Sequence, residues 1–177
     1  MDKLKTYTMR YLFFSIITAF LCCSCDNPKA LNSTHPENWN KRMVKQAITD
    51  SLEIGSTFLS IYSQIYTRDE NELIDLSATV SLHNPNVKDT IYINKTVYYD
   101  TEGKPIRTYF DKTIFIRPME TVQIIIAGLD NEGGTGANFL FDWQIKPNTI
   151  EPMFEAVMIS TYGQQGISFV TVGKRVK

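Results

Sequence analysis

With 18 basic and 19 acidic side chains among 177 residues, the chain has a formal charge of −1. A balance this near neutrality supplies no polybasic face for nucleic acid or anionic lipid headgroups, and nucleic acid is excluded as a partner. The only three cysteines, Cys22, Cys23 and Cys25, stand within four positions near the start, so any domain beyond them lacks disulfides, thiol nucleophiles and cysteine metal sites.

The first element is a leader. Lys3, Lys5 and Arg10 precede an apolar run, Tyr11–Leu21, broken only by Ser15 and Thr18, and Ser24 stands directly before Cys25. A basic start, a short apolar stretch and a small residue at the cut describe a secretory signal over residues 1–24. The run falls short of the roughly 18–20 residues that cross a bilayer. A cysteine immediately after the cut makes Cys25 the expected site of lipid attachment, although Cys22 fills a position where Leu, Val or Ile is usual. The rival readings are a plain signal or a membrane anchor. Membrane lipid, held through acylated Cys25, is the expected partner, and the cell envelope is the expected location. Asp26 retains lipoproteins in the inner membrane in some sorting systems, but the outer membrane is preferred here.

Residues 25–54 follow as a polar tether. Some 25 flexible residues hold a domain about 25–30 Å from the lipid. Thr34 and Glu37 have the spacing of a capping box, and Trp39, Met43 and Ala47 recur at helical intervals, which predicts a short helix around 35–49. A partly ordered linker is the alternative.

Residues 55–177 read as strands. Leu76, Ala78, Val80 and Leu82 alternate with Ser77, Thr79, Ser81 and His83, the pattern of a half-buried antiparallel strand. Asn84-Pro85-Asn86 ends it as a turn. In Thr90–Tyr99, Ile91, Ile93, Val97 and Tyr99 share one parity, and Asp100–Gly103 turns the chain into Pro105–Phe110 as a hairpin. Lys112–Arg117, Thr121–Ala127, Asn138–Ile145, Phe154–Thr161 and Ile167–Val172 follow, and Ser56–Ile65 precedes them. About eight or nine short strands without interleaved helices predict an all-β fold, an antiparallel immunoglobulin-like β-sandwich. A small antiparallel barrel is the alternative.

One motif occurs twice. Gly133-Gly134-Thr135-Gly136-Ala137-Asn138-Phe139-Leu140 aligns with Gly163-Gln164-Gln165-Gly166-Ile167-Ser168-Phe169-Val170. Each is a glycine turn leading into a strand with Phe pointing inward. If the two strands are sheet neighbours, both turns sit together at one end. Neither copy has the ending of a phosphate loop or a following helix. His83 is the only histidine of the domain, so no zinc pair and no supported Ser-His-Asp arrangement exists, and no metal or cofactor is expected. Glu155, within Met153–Ile159, needs a partner or a strand edge if its face is buried.

The candidate binding residues are therefore Tyr62, Gln64, Tyr66, Gly136, Asn138, Glu155, Gln164, Gln165 and Ser168. Their neutral hydrogen bonds suit a peptide backbone or a glycan, from an envelope protein or glycan partner. The plainer reading is that they satisfy one another across two tight turns. The rivals are a glycan hydrolase using Glu155 and Asp142, which requires the two carboxyls roughly 5–9 Å apart, and a purely structural lipoprotein.

Tyr62–Tyr66, Leu76–Asn84, Tyr98-Tyr99-Asp100, Gly133–Phe139, Glu155–Ile159 and Gly163–Phe169 resemble blocks of the bacterial domain of unknown function numbered 3124. The resemblance covers about Gly55 to Gly173. It implies an exported, often lipid-anchored protein without an assigned activity, and it transfers no functional residue.

Overall fold

The computed structural model describes residues 37–46, 48, 51–161 and 166–177. The leader, Cys25, Thr34, Gln164 and Gln165 lie outside these. Short helix α1 (Trp39–Arg42) precedes twelve strands: β1 (Glu53–Ser60), β2 (Gln64–Tyr66), β3 (Leu73–Asp75), β4 (Ser77–His83), β5 (Ile91–Tyr99), β6 (Pro105–Phe110), β7 (Ile114–Ile116), β8 (Thr121–Ile126), β9 (Asn138–Ile145), β10 (Met153–Ser160), β11 (Ile167–Val172) and β12 (Lys174–Arg175). All nine expected strands are present. The three beyond them, β2, β3 and β12, are two or three residues long, too short for alternation to reveal.

Two antiparallel sheets form a β-sandwich rather than a barrel. One has the order β12-β1-β9-β5-β6, with β7 also on β5. The other runs β11-β10-β4-β8, and β2 and β3 form a separate hairpin. The inward residues of β4, Ala78, Val80 and Leu82, meet Phe154, Ala156 and Met158 of β10 and Val122, Ile124 and Ile126 of β8 in register. An aromatic row joins the sheets: Tyr98 stacks on Phe139 at 4.8 Å, Phe139 on Phe141 at 5.5 Å, and Phe141 on Phe154 of the facing sheet at 4.2 Å. Trp143 continues it, donating from Nε1 to Thr57 Oγ1 at 2.9 Å, with the Arg175 guanidinium 5.2 Å from its ring centre.

Strand β5 departs from its sequence pattern. The pairing with β9 slips between Ile93 and Lys95. A bulge adds one residue and so exchanges the two faces of everything that follows. Ile91 and Ile93 are buried as expected, but Thr96 and Tyr98 then take the core positions opposite Phe141 and Phe139. Val97 and Tyr99 turn to the outer face.

At the other margin the chain changes sheets. Gly173 joins β11 of one sheet to β12 of the other, and a Cβ there would lie 2.8 Å from Thr57 Cγ2 and 3.1 Å from Phe154 Cβ. Only glycine fits so close a crossing.

The helix is shorter than its spacing predicts. Asn38 is the N-cap and makes no side-chain capping bond; Glu37 instead pairs with Arg42 at 2.8 Å. Trp39 packs on Phe110 at 4.9 Å. After one turn the chain extends along β7, with Met43 bridged to Ile114 and Val44 N donating to Thr113 O at 2.9 Å. The open backbone edge of β7 offers hydrogen bonds that compete with further helix.

Candidate functional site

The sandwich has two loop ends. At one, called here the glycine end, the β1–β2 and β8–β9 connections meet the β5–β6 turn. Gly134 has φ of +72°, the left-handed backbone that favours glycine. Its carbonyl accepts from the N–H groups of Ser63 and Gln64, both at 3.2 Å. Gly133 is needed for close approach, since a Cβ would sit 1.9 Å from the Tyr98 hydroxyl. Thr101 Oγ1 donates to Gly133 O at 3.0 Å and accepts from Gly136 N at 2.9 Å.

Beneath these turns lies a charged cluster. Arg107 of β6 donates from Nη1 to Asp130 Oδ2 at 2.9 Å and to Tyr109 Oη at 3.2 Å, and its Nη2 reaches Glu132 at 3.3 Å. Burial works against the Arg107 charge, but the Asp130 hydrogen bond and the Tyr109 and Asp130 partners hold its pKa above the ordinary value. Burial raises the Tyr98 phenol well above its ordinary value and pushes Tyr109 up to about 12. Both phenols stay neutral at physiological pH. The cluster pins the 127–137 connection onto β6.

The outer face of the four-stranded sheet carries a second grouping. His83 Nδ1 lies 2.8 Å from Thr121 Oγ1, and its Nε2 is 3.5 Å from Glu155 Oε2. Hydroxyl, imidazole and carboxylate thus stand in one line across β8, β4 and β10. The backbone N–H groups of β4 and β10 run in the plane of the sheet, so none rises from the face to stabilise an oxyanion. Beside this polar line are Met153, Val157 and Ile159 of β10 and Val170 and Val172 of β11, all exposed. Val157 stands directly opposite Val170.

The expected residues fall into two places. Tyr62, Gln64, Tyr66, Gly136 and Asn138 do gather at the glycine end. There Gln64 Nε2 donates to Asp75 Oδ1 at 2.8 Å, and Asn138 is flanked by Ser60 and Tyr99 in the ladders. Glu155 and Ser168 lie instead on the outer sheet face, Ser168 opposite Ile159. Strands β9 and β11 belong to different sheets, so the two glycine motifs are not sheet neighbours. The β1–β2 connection touches both: Ser63 bonds Gly134, and the Tyr62 ring meets Phe169 edge-on at 5.8 Å. Glu155 faces solvent on a central strand and is paired with His83.

The Glu155–Asp142 pair is corrected by the fold. Asp142 lies on the outer face of the other sheet, accepting from Ser56 Oγ at 2.7 Å. Sheets pack about 10 Å apart, so two carboxylates on opposite outer faces cannot flank one sugar. Among the described residues no group of three or more His, Cys, Asp or Glu is placed to hold a metal ion, and no helix is long and apolar enough to cross a membrane. Shallow cavities of about 680 and 690 Å³ border α1 and the chain after it, between Glu37, Trp39, Tyr109 and Phe110 and between Val44, Ile48, Lys112 and Gln144.

Two polar clusters carry no local sequence signal. Arg107 and Asp130 meet across 23 positions, and Asn84 and Asn86 read only as turn residues although both are buried. Buried asparagine in a turn is a signal only after burial is known.

Fold and site together define an antiparallel β-sandwich module with stitched loop ends and an exposed aliphatic sheet face. The chain belongs to the family described as Protein of unknown function (DUF3124), whose model matches residues 54–176. None of the curated proteins matches it. Among solved structures, the crystal structure of Thermotoga maritima 1070 is similar at a TM-score of 0.42 and 10% identity, over 72% of this chain and 96% of that one.

Proposed function

We propose that this is a lipid-anchored protein of the bacterial cell envelope whose sandwich acts by binding, without catalysis, and takes an extended segment of a protein partner along β11. The observation that carries the reading is the character of that strand. β11 is the last strand of its sheet, and its sequence Ile167-Ser168-Phe169-Val170-Thr171-Val172 holds no charge and no proline. Edge strands are ordinarily protected by lysines, prolines or bulges, because their free backbone groups recruit another strand. An unprotected edge beside exposed Val157 and Ile159 suits a neutral, aliphatic segment added as a further strand, with backbone hydrogen bonds for affinity and alternate side chains for selectivity.

A photoreactive side chain at Val170, in the full chain within intact envelopes, tests the binding. The expected product is a crosslink to a different protein that disappears when Val172→Lys and Val157→Lys are added. Crosslinks indifferent to those lysines would sink the reading, and a crosslink to a second copy of this chain would replace the partner with self-assembly. Mass spectrometry of the mature N-terminal peptide tests the anchor: Cys25 should carry acyl chains, and Cys25→Ser should release the protein from membranes.

A further inference from the structure

The end of the sandwich opposite the glycine turns is built from three connections, β4–β5, β7–β8 and β9–β10. Each presents one aliphatic residue outward: Val87 is 75% exposed, Met119 68% and Ile150 60%. They are not scattered, because one residue ties their loops together. Asn86 accepts at its backbone carbonyl from Met119 N at 3.0 Å, and at Oδ1 from Ile150 N at 2.8 Å. From Nδ2 it donates to Ile150 O at 2.8 Å and to Asn84 Oδ1 at 2.9 Å. Asn84, 2% exposed, donates from Nδ2 to Asp89 O and Ile116 O and from its backbone N–H to Glu120 O. Buried amides that use their donors and acceptors this fully hold the loops in one arrangement.

Met119 supplies a further observation. It occupies the third position of the turn Arg117-Pro118-Met119-Glu120, where Glu120 N bonds Arg117 O at 3.1 Å, with φ of 59°. Glycine or asparagine is the ordinary residue there. A long apolar side chain is instead held out to solvent on an unfavourable backbone, which points to a use for the side chain.

The described chain also joins the domain at this end. Arg42 pairs with both Glu37 and Glu120, at 2.8 and 3.0 Å, so Glu37 lies beside the turn that carries Met119. Cys25 stands twelve positions before Glu37. The eight residues of β1 place the glycine end roughly 27 Å farther off. The described chain thus begins at the end that carries Val87, Met119 and Ile150.

We infer that Val87, Met119 and Ile150 form a rigid membrane-seating surface that enters the lipid headgroup region, orienting the sandwich with its glycine end away from the bilayer. The inference rests on the proposed acylation of Cys25 and adds an orientation to it. β11 then stands along the side of the molecule, open to an envelope partner.

The test uses the full chain, matured and inserted in vesicles of phosphatidylethanolamine and phosphatidylglycerol. Trp39 and Trp143 are buried, so a tryptophan introduced at an exposed site is a separate reporter. Met119→Trp, Val87→Trp and Ile150→Trp should each be quenched about twofold by lipids brominated ~5–10 Å below the interface. Leu129→Trp, at the glycine end, should not be quenched. Equal quenching at Leu129, or none at the three tips in acylated protein, overturns the inference while leaving the anchor intact. If Cys25 proves unmodified, the anchor fails separately, and the unacylated chain is mixed with the same vesicles. Tip quenching there upholds the surface, and its absence overturns it. Met119→Asn, which suits the positive φ, guards against misfolding: it should keep the thermal transition and lower quenching of the reporter at Val87.

Discussion

The two ends of the sandwich solve the same problem with different chemistry. Each must close several connections over a core without leaving backbone groups dry. The glycine end does so with charge and close approach, through Arg107, Asp130, two neutral phenols and glycines under Tyr98 and Thr101. The asparagine end rests its aliphatic tips on the neutral amides of Asn84 and Asn86 and carries the Arg42–Glu37 and Arg42–Glu120 ion pairs beside them. A charged closure suits an end that stays in water. Neutral amides beneath the tips, with the nearby charges paired, suit an end proposed to approach lipid, where an unpaired charge is penalised. Closing an end and using an end are thus separable tasks, and the outward residues rather than the buried ones tell them apart.

Substitutions can break this contrast. The largest effect is expected from Gly133→Ala, which forces a methyl against the Tyr98 hydroxyl and Ala137. Overpacking of this kind costs about 3 kcal/mol, and urea unfolding should show it as a lowered midpoint with unchanged slope. Asn86→Ala leaves Ile150 N and an Asn84 lone pair without their partner and should cost about 2 kcal/mol. Hydrogen exchange should then rise at 117–120 and 149–151 but not at 131–136, if the two ends are independent. A rise at both would dissolve the distinction.

Alkali should act on the glycine end alone. Tyr109 ionises in the fold near 12 against an ordinary 10.0. Its contribution is complete below pH 10 and is lost as pH climbs through 12, by up to about 2 kcal/mol. Tyr109→Phe should reduce that loss and leave the part due to the buried Tyr98 phenol, as read from thermal midpoints between pH 9 and 11. Met119→Gly should stabilise the protein by about 1 kcal/mol, by relieving a left-handed backbone, while weakening attachment of the asparagine end to vesicles.

Acid has the smallest effect and falls on the asparagine end. Burial raises the Glu120 pKa, but hydrogen bonds from Arg42 and the Arg117 N–H outweigh it and hold the group below its ordinary 4.5. Its contribution is present above pH 4.5 and lost as pH falls through the lowered value. For an ion pair this near the surface that amounts to about 0.5–1 kcal/mol. Proteolysis near Trp39 should become faster in that range, and Glu120→Gln should remove the dependence.

Much of this architecture was legible in residue order. The alternation of β4 named its inward residues correctly, because a strand buried on one face repeats every two residues. The same rule failed after Ile93, where the bulge exchanged the faces of β5 and put Tyr98 rather than Val97 into the aromatic row. A bulge is decided by the partner strand, and β9 lies more than forty positions away. The candidate site was legible only in part. Tyr62, Gln64, Gly136 and Asn138 share an end, while Glu155 and Ser168 lie on a sheet face, because β11 follows β10 into the second sheet.

The sequence by itself determined that the domain is all-β, where its main strands run, and the family to which residues 54–176 belong. Those properties rest on local periodicity, turn residues and short motifs, each contained within a dozen positions. Only the tertiary structure decided that Asn86 would hold Met119 and Ile150 in one surface, that Arg107 would find Asp130, and that Glu155 and Asp142 would face opposite ways. These outcomes depend on which strands pair, and pairing is set by burial summed over the whole core rather than by any segment alone.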